Sequence, residues 1–210
     1  MILSVVAFDC CAQYLHDPYS GRQFNAQKYT NIKGSSFLRE EWLTGDAISK
    51  NGIYKDLKLK LDIYEQILYV NKDDKLFQFK EEIDSFILKP NSGDTSGFMC
   101  FVKVLPAGYV KTSQFMQVLA PGHISLYKAH VAMVNELNEI NAGLIKNFTS
   151  KINYYVNRGS GFELMKLNKK DIEALFRAVW PKIETFVAAN GLSYRSEQDV
   201  SNIVKYINSL

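Results

Sequence analysis

The chain has 210 residues, 47% of them hydrophobic and 22% charged, which is the balance of an average globular domain long enough to bury a core. Twelve glycines and five prolines exclude collagen-like and low-complexity chains. No apolar run reaches the 18 or so residues of a membrane-spanning helix, and a net charge of +3 spread along the sequence leaves no footprint for nucleic acid.

Ile2 to Phe8 form a short apolar run, and Cys10 and Ala12 then fit the −3 and −1 positions of a signal-peptidase site with cleavage before Gln13. Residues 1–12 are therefore read as the remnant of a signal peptide, with a short buried N-terminal strand as the alternative, and residues 13–28 as an N-terminal extension. No charged n-region precedes the run, and Asp9 is unusual so near a cut. With the leader removed, Cys100 is the only cysteine, so no intramolecular disulfide forms. Its setting, Phe98-Met99-Cys100-Phe101-Val102, predicts a small buried hydrophobe.

Residues 29–167 predict an antiparallel β body. Leu57, Leu59, Leu61 and Ile63 alternate with Lys58, Lys60 and Asp62, so one face is expected to bury and the lysine face to meet solvent. Glu65-Gln66 breaks this strand into Ile67–Val70, and Asn71–Lys75 forms the next turn, since Asn and Asp tolerate left-handed backbone. Leu76–Phe79 and Asp84–Leu88 predict two more strands. Pro90 to Gly97 is a loop, Phe98–Leu105 a strand closed by Pro106-Ala107-Gly108, and Gln114–Leu119 with His123–Lys128 a hairpin about Ala120-Pro121-Gly122. Asn135–Lys151 is polar and weakly periodic, and predicts a short helix or an excursion; its Asn147-Phe148-Thr149 sequon carries no weight. Ile152–Val156 and Phe162–Leu167 predict a last hairpin.

The period changes in residues 168–210. Asn168 caps a first helix with Asp171 in its opening turn and Ile172, Leu175, Phe176 and Val179 on one face. Pro181 starts a second, with Ile183, Phe186 and Val187 inward and Gly191 ending it. Ser196 and Asp199 open a third, with Val200, Ile203, Val204 and Ile207 inward. The fold class is thus α+β: an antiparallel sheet, as a meander or partly closed barrel, with three C-terminal helices packed on it.

Phe37-Leu38-Arg39-Glu40-Glu41-Trp42, Gly45, Asn51-Gly52-Ile53-Tyr54 and Leu57-Lys58-Leu59-Lys60-Leu61-Asp62-Ile63-Tyr64 run in a distinctive order. Phe115-Met116-Gln117-Val118-Leu119, Ser125-Leu126-Tyr127-Lys128, Tyr154-Tyr155-Val156 and the closing Tyr206-Ile207-Asn208-Ser209-Leu210 continue it. The combination, from about residue 30 to the end, resembles a family of uncharacterised exported proteins of Bacteroidetes-type bacteria. The chain departs from that pattern at Ile207, where a second Tyr is usual, and in 131–150. The resemblance implies export, a β-rich body and a helical tail, and brings no catalytic residue with it.

Searches for chemistry return little. His123 and His130, seven apart, would face opposite sides of one strand, and His16 lies in a polar stretch, so no metal site is expected. Ser125 and Lys128 satisfy S-x-x-K, but on a strand they point apart. Asp94-Thr95-Ser96-Gly97 misses the aspartic-protease turn by one residue and has no second copy. No phosphate-binding or nucleophile-elbow motif occurs. Glu40-Glu41, Glu81-Glu82 and Asp84 read as solvated edges of strands. Aromatic residues, at 13% of the chain, can line a pocket or fill a two-layer core. Trp42, Tyr54, Tyr64 and Tyr127 are the candidates for ligand or partner contact, with core and cross-strand packing as the competing role.

The leading functional reading is a non-catalytic secreted or cell-envelope module, structural or binding another envelope or secreted protein. The alternatives are a carrier of a small apolar or sugar ligand in an aromatic-lined β pocket, and a hydrolase with a dispersed site. No cofactor is implied, and the expected location is the periplasm, cell surface or medium. Mass spectrometry of the native mature protein should find an N-terminus near Gln13; an intact Met1 on protein recovered from the cytoplasm would contradict export.

Overall fold

The computed structural model describes residues 18–90, 97–105, 113–139 and 143–210. The leader, His16, the loop residues 91–96 and the Pro106-Ala107-Gly108 turn lie outside the described residues. Twelve strands come first: β1 (Tyr19–Gln23), β2 (Ile32–Lys33), β3 (Leu43–Ser49), β4 (Gly52–Asp62), β5 (Ile67–Lys72), β6 (Lys75–Phe79), β7 (Ile83–Leu88), β8 (Met99–Val104), β9 (Gln114–Ala120), β10 (Ser125–Glu139), β11 (Gly143–Asn157) and β12 (Phe162–Met165). Three helices follow, α1 (Lys169–Leu175), α2 (Trp180–Asn190) and α3 (Glu197–Ile207). The fold is α+β, with a mostly antiparallel sheet and the helices at its C-terminal end.

All twelve strands belong to one sheet, in the order β1-β6-β5-β4-β3-β7-β8-β9-β10-β11-β12, with β2 added to β11. The sheet is open rather than closed into a barrel, and it is mixed, because β2 runs parallel to β11. Nor is it one continuous meander, since β3 pairs with β7 across the β4–β6 hairpins. The turns behave as their residues require. Asp73 and Asp74, both at positive φ, make the two-residue turn that brings Lys72 opposite Lys75. The stretch ahead of the β body is not separate from it, for β1 pairs with β6 at the sheet edge.

Three expectations are corrected. The described residues of Asn135–Lys151 are strand and not helix: β10 and β11 pair in register from Ser125 opposite Asn157 to Glu139 opposite Gly143. The described residues of the far part of this ribbon, from Met133 and Thr149 outward, are exposed or half-buried and none is fully buried, so no buried face imposes a period of two on its sequence, and cross-strand pairs hold it instead. Asn135 Nδ2 donates to Thr149 Oγ1 at 3.1 Å, and Lys146 pairs with Glu136 at 2.8 Å. Cys100 is exposed, because β8 turns Phe101 inward and alternation sends its neighbour out. His123 sits in the β9–β10 turn and not on the strand that carries His130, so the two do not share a strand at all.

Two cores lie on one face of the sheet. In the first, Leu43, Tyr54, Leu59, Leu61, Phe86 and Phe101 meet Phe115 of β9 and Ala132 of β10. The sheet curls to allow this, for Ala132 N donates to Ile63 O at 2.9 Å although β4 and β10 are far apart in strand order. Gln66, in the β4–β5 turn, donates to His130 O at 3.0 Å and accepts from Phe115 N at 3.0 Å. In the second core, Ala120, Leu126, Val156 and Met165 of the sheet pack against Ile172, Ile183, Val200, Ile203 and Ile207 of the helices.

The helix ends form as their residues dictate. Asn168 Oδ1 accepts from Asp171 N at 2.8 Å, Ser196 Oγ accepts from Asp199 N at 3.3 Å, and Gly191 closes α2 in the left-handed region. Past α3, Asn208 clamps the β9–β10 turn: Oδ1 accepts from Ile124 N at 2.9 Å and Nδ2 donates to Ile124 O at 2.7 Å. A Cβ on Gly122 would overlap the Asn208 amide, so the turn and the closing residues fit only with glycine there. Ile203 is fully enclosed, and Ile203→Ala should lower unfolding free energy by about 2–5 kcal/mol in urea titrations. An unchanged midpoint would show that the helical tail does not share the core.

Candidate functional site

The β4–β5 turn is built around a buried carboxylate. Asp62 follows three residues of clean alternation, yet it is 0% exposed. Its side chain folds back into the turn, where Oδ1 accepts from Tyr64 N at 2.8 Å and Glu65 N at 3.0 Å. Segment 36–38 then covers it: Leu38 N donates to Leu61 O, Ile63 N donates to Ser36 O, and Phe37 bridges to Asp62. Tyr29 OH donates to Oδ2 at 3.2 Å. Burial pushes the Asp62 carboxyl above the usual carboxylate range, against the opposing pull of the Glu65 and Tyr64 N–H groups and the Tyr29 and Ser36 hydroxyls. Burial, then the neighbouring Asp62 charge, likewise pushes the Tyr29 phenol up. Ser36 Oγ lies beside the carboxylate without the geometry of a hydrogen bond, and it is buried with no other partner.

Around this turn stand aromatic rings in tilted and edge-to-face contact. Phe24 lies 5.6 Å from Tyr29 and 5.4 Å from Phe37, while Phe148 lies 5.2 Å from Tyr29 and 5.3 Å from Tyr64. Phe24, Tyr29, Phe37 and Phe148 are half-buried and line an open cleft of about 230 Å³, with Ser36 and Glu40 also in its wall. Ile32 and Lys33 with Leu144 and Lys146 of β11 line a second open groove of about 530 Å³, which shares Thr30 and Ile32 with the first. Lys28, beside the cleft, is paired with Glu65.

The four aromatic candidates do not gather. Tyr64 belongs to the ring cluster beside the cleft and is 41% exposed. Trp42 is linked to it at one remove, since the Lys60 ammonium lies 5.1 Å from the Trp42 ring and 5.0 Å from Phe37. Tyr54 is buried in the first core and touches Phe79, so its role is packing. Tyr127 lies on the opposite face of β10, against Phe162 at 5.2 Å and beside Met116, Ala129 and Tyr155. Sequence reasoning missed Phe24, Tyr29 and Phe148. Phe148 stood in the stretch whose strand character has no periodic signal, Phe24 in the supposed extension, and Tyr29 at the first position of the expected β body, ahead of any strand read there.

A second polar cluster ties α3 to the sheet. Glu197, at the start of α3, accepts from Tyr154 OH at 2.8 Å and pairs with Lys128 at 2.8 Å. His130 Nε2 lies 3.2 Å from Gln117 Oε1. Burial, with the Lys128 charge second, lowers its pKa to about 4, so the ring is neutral near pH 7. Lys128 is thus committed to Glu197, and Ser125 to Gly122 O, on a strand. Among the described residues no three His, Cys, Asp or Glu side chains gather as a metal ion would need, and no helix is long and apolar enough to cross a membrane.

No protein-family model, curated protein or solved structure matches the chain.

Asp62 generates a test with a defined sign. A carboxyl whose pKa is raised on folding keeps its proton to higher pH than the unfolded chain does, so stability falls as pH rises from the unfolded pKa through the folded one. Urea midpoints taken from about pH 4 to about pH 7 should decline for the wild type and lose that part of the decline in Asp62→Asn. Asp62→Ala orphans the Tyr64 and Glu65 amides and should cost about 1–3 kcal/mol. Identical pH slopes in wild type and Asp62→Asn would show that the carboxyl titrates as it does in the unfolded chain.

Proposed function

We propose that the protein is an exported, non-catalytic module that binds another protein through the free edge of β11. One observation carries this reading. The outer edge of β11 is paired at Lys146 and Asn147 by β2 and at Tyr154–Asn157 by β12, while residues 148–153 between them have no neighbouring strand among the described residues. Six residues span about 20 Å, enough for one added strand, and backbone pairing of this kind supplies affinity without chemistry. Thr149, Ser150, Lys151 and Ile152 there are exposed. Lys33 and Lys151 have no ion pair among the described residues, which favours a partner segment with acidic or hydroxyl side chains. Next to the edge, Met133 and Leu164 offer exposed apolar contact.

Export rests on the Ile2–Gln13 segment and on the family resemblance. The polar side chains nearest to forming a reactive cluster are already committed: Asp62 holds its turn, and Lys128, Tyr154 and Glu197 hold α3 to the sheet.

A photo-crosslinking amino acid at Ser150 should capture a protein from the native envelope fraction, and a proline in the edge should abolish capture. Thr149→Pro and Ser150→Pro direct the lost N–H to opposite sides of the strand, so the one that keeps the wild-type circular dichroism reports on the free edge. Capture that persists in that folded variant would contradict edge recognition. Turnover of a peptide, ester or glycan substrate abolished by one Asp, Glu, Ser or His substitution would contradict the non-catalytic reading.

A further inference from the structure

We infer that the open stretch of the β11 edge is a closed-ended notch for an extended acidic peptide, with carboxylate side chains at alternate positions. The inference rests on the edge recognition proposed above and specifies its partner. Both ends of the notch are fixed. β2 stops at Lys33, because Gly34, at φ 85°, turns the chain off the edge beside the Phe148 carbonyl. β12 stops at Met165, and Lys166 N then donates to Asp171 Oδ2 at 2.9 Å, which ties the chain into the opening turn of α1. A strand laid between them faces residues 148–153, so it has room for six residues at most. Along this stretch the side chains alternate. Phe148, Ser150 and Ile152 turn to the face that carries the two cores, and Thr149, Lys151 and Asn153 turn to the other.

Three lysines share that second face. Lys33 stands opposite Asn147, in phase with Lys151, and Lys166 follows Met165, whose side chain enters the second core, so Lys166 is directed away from it. All three are exposed, and none forms an ion pair among the described residues. No carboxylate answers them from the neighbouring strand, for the β10 residues opposite Thr149, Lys151 and Asn153 are Met133, Val131 and Ala129. Side chains of an added strand on this face stand in line with Lys33 and Lys166 and across from Lys151. Two acidic residues, two positions apart, therefore meet all three ammonium groups. The residues between and beside them turn to Ser150 and the exposed Ile152, where a β-branched apolar side chain makes a cross-strand pair. Lysines on an open edge also deter wrong partners. A second copy offering the same strand is disfavoured twice: its β11 is 15 residues long and overruns a notch closed at both ends, and it brings its own lysines to the same place.

The test titrates the purified, isotope-labelled full chain by NMR with the blocked hexapeptide Thr-Glu-Val-Glu-Val-Thr. Two controls run in parallel: Thr-Gln-Val-Gln-Val-Thr, which lacks the charge, and Thr-Glu-Glu-Val-Val-Thr, which lacks the alternation. The alternating acidic peptide should shift the amides of Thr149–Ile152 saturably and slow the exchange of the outward-pointing ones, with a dissociation constant on the order of 1 mM or below. Each control should bind at least about fivefold more weakly, and added sodium chloride should weaken the acidic peptide more than the glutamine one. Lys33→Gln and Lys151→Gln, with the fold checked by circular dichroism, should each weaken the acidic peptide about two- to fivefold, and Lys151→Glu should favour Thr-Lys-Val-Lys-Val-Thr instead. Equal binding of the acidic and glutamine peptides, or unchanged preference in Lys151→Glu, would overturn the inference and leave edge recognition standing. Tighter binding of an oligothymidylate at the same amides would also overturn it, by showing a site for nucleic acid. No saturable shift at the edge with any peptide up to about 5 mM would overturn it too, while capture by the crosslinker at Ser150 reports on edge recognition separately.

Discussion

The turn between β4 and β5 is the constraint on which the rest of the structure depends. A sheet of this many strands must curl or split to bury its apolar face, and here the curl is fixed where Gln66 and the Ile63 carbonyl reach β9 and β10. Those contacts require a turn of one shape. The shape comes from a carboxylate placed in the interior, with two backbone N–H groups on one oxygen and a phenol on the other. Gln66 itself is held at positive φ, a conformation that costs energy in a residue with a Cβ and persists because its amide is bonded at both ends.

The surfaces follow from that turn. Covering Asp62 needs the 36–38 segment, and the chain leading to it runs past β11, where β2 pairs for two residues only. The same path sets Phe24, Tyr29 and Phe37 against Phe148, which makes the cleft, and leaves the middle of the β11 edge unpaired, which makes the candidate strand-addition site. At the other end of the sheet, three helices close a separate core, and the Lys128–Glu197–Tyr154 cluster ties α3 to β10 and β11.

Wherever a residue's environment is set by its neighbours in sequence, the structure was legible. The three helices, their Asn168 and Ser196 caps, the Asp73-Asp74 turn and most of the short strands all answer to local signals. Asp62 shows the boundary. Its position in the alternation places it on the lysine face, and only the long-range cover from 36–38 makes its burial possible. Cys100 fails in the other direction, because an unbroken apolar run does not say which alternate residues turn inward. The far part of the β10–β11 ribbon has no fully buried face and is held by cross-strand pairing, so it leaves no periodic trace. Phe148 lies on that ribbon, and the cleft was therefore invisible while Tyr64 beside it was not. The β9–β10 turn and the closing residues, far apart in sequence, meet where Asn208 grips Ile124.

The most direct test of the turn's control over the curl is amide hydrogen exchange at Ala132 in Gln66→Ala. The Ala132 N–H bonds to Ile63 O and makes no bond to Gln66, so its own partner survives the substitution. If the turn is what docks the sheet on itself, Ala132 exchange should accelerate markedly while the amides of Ile183 and Ile203 in the helical core keep their protection. Unchanged protection at Ala132 would mean that apolar packing of the first core alone holds the curl.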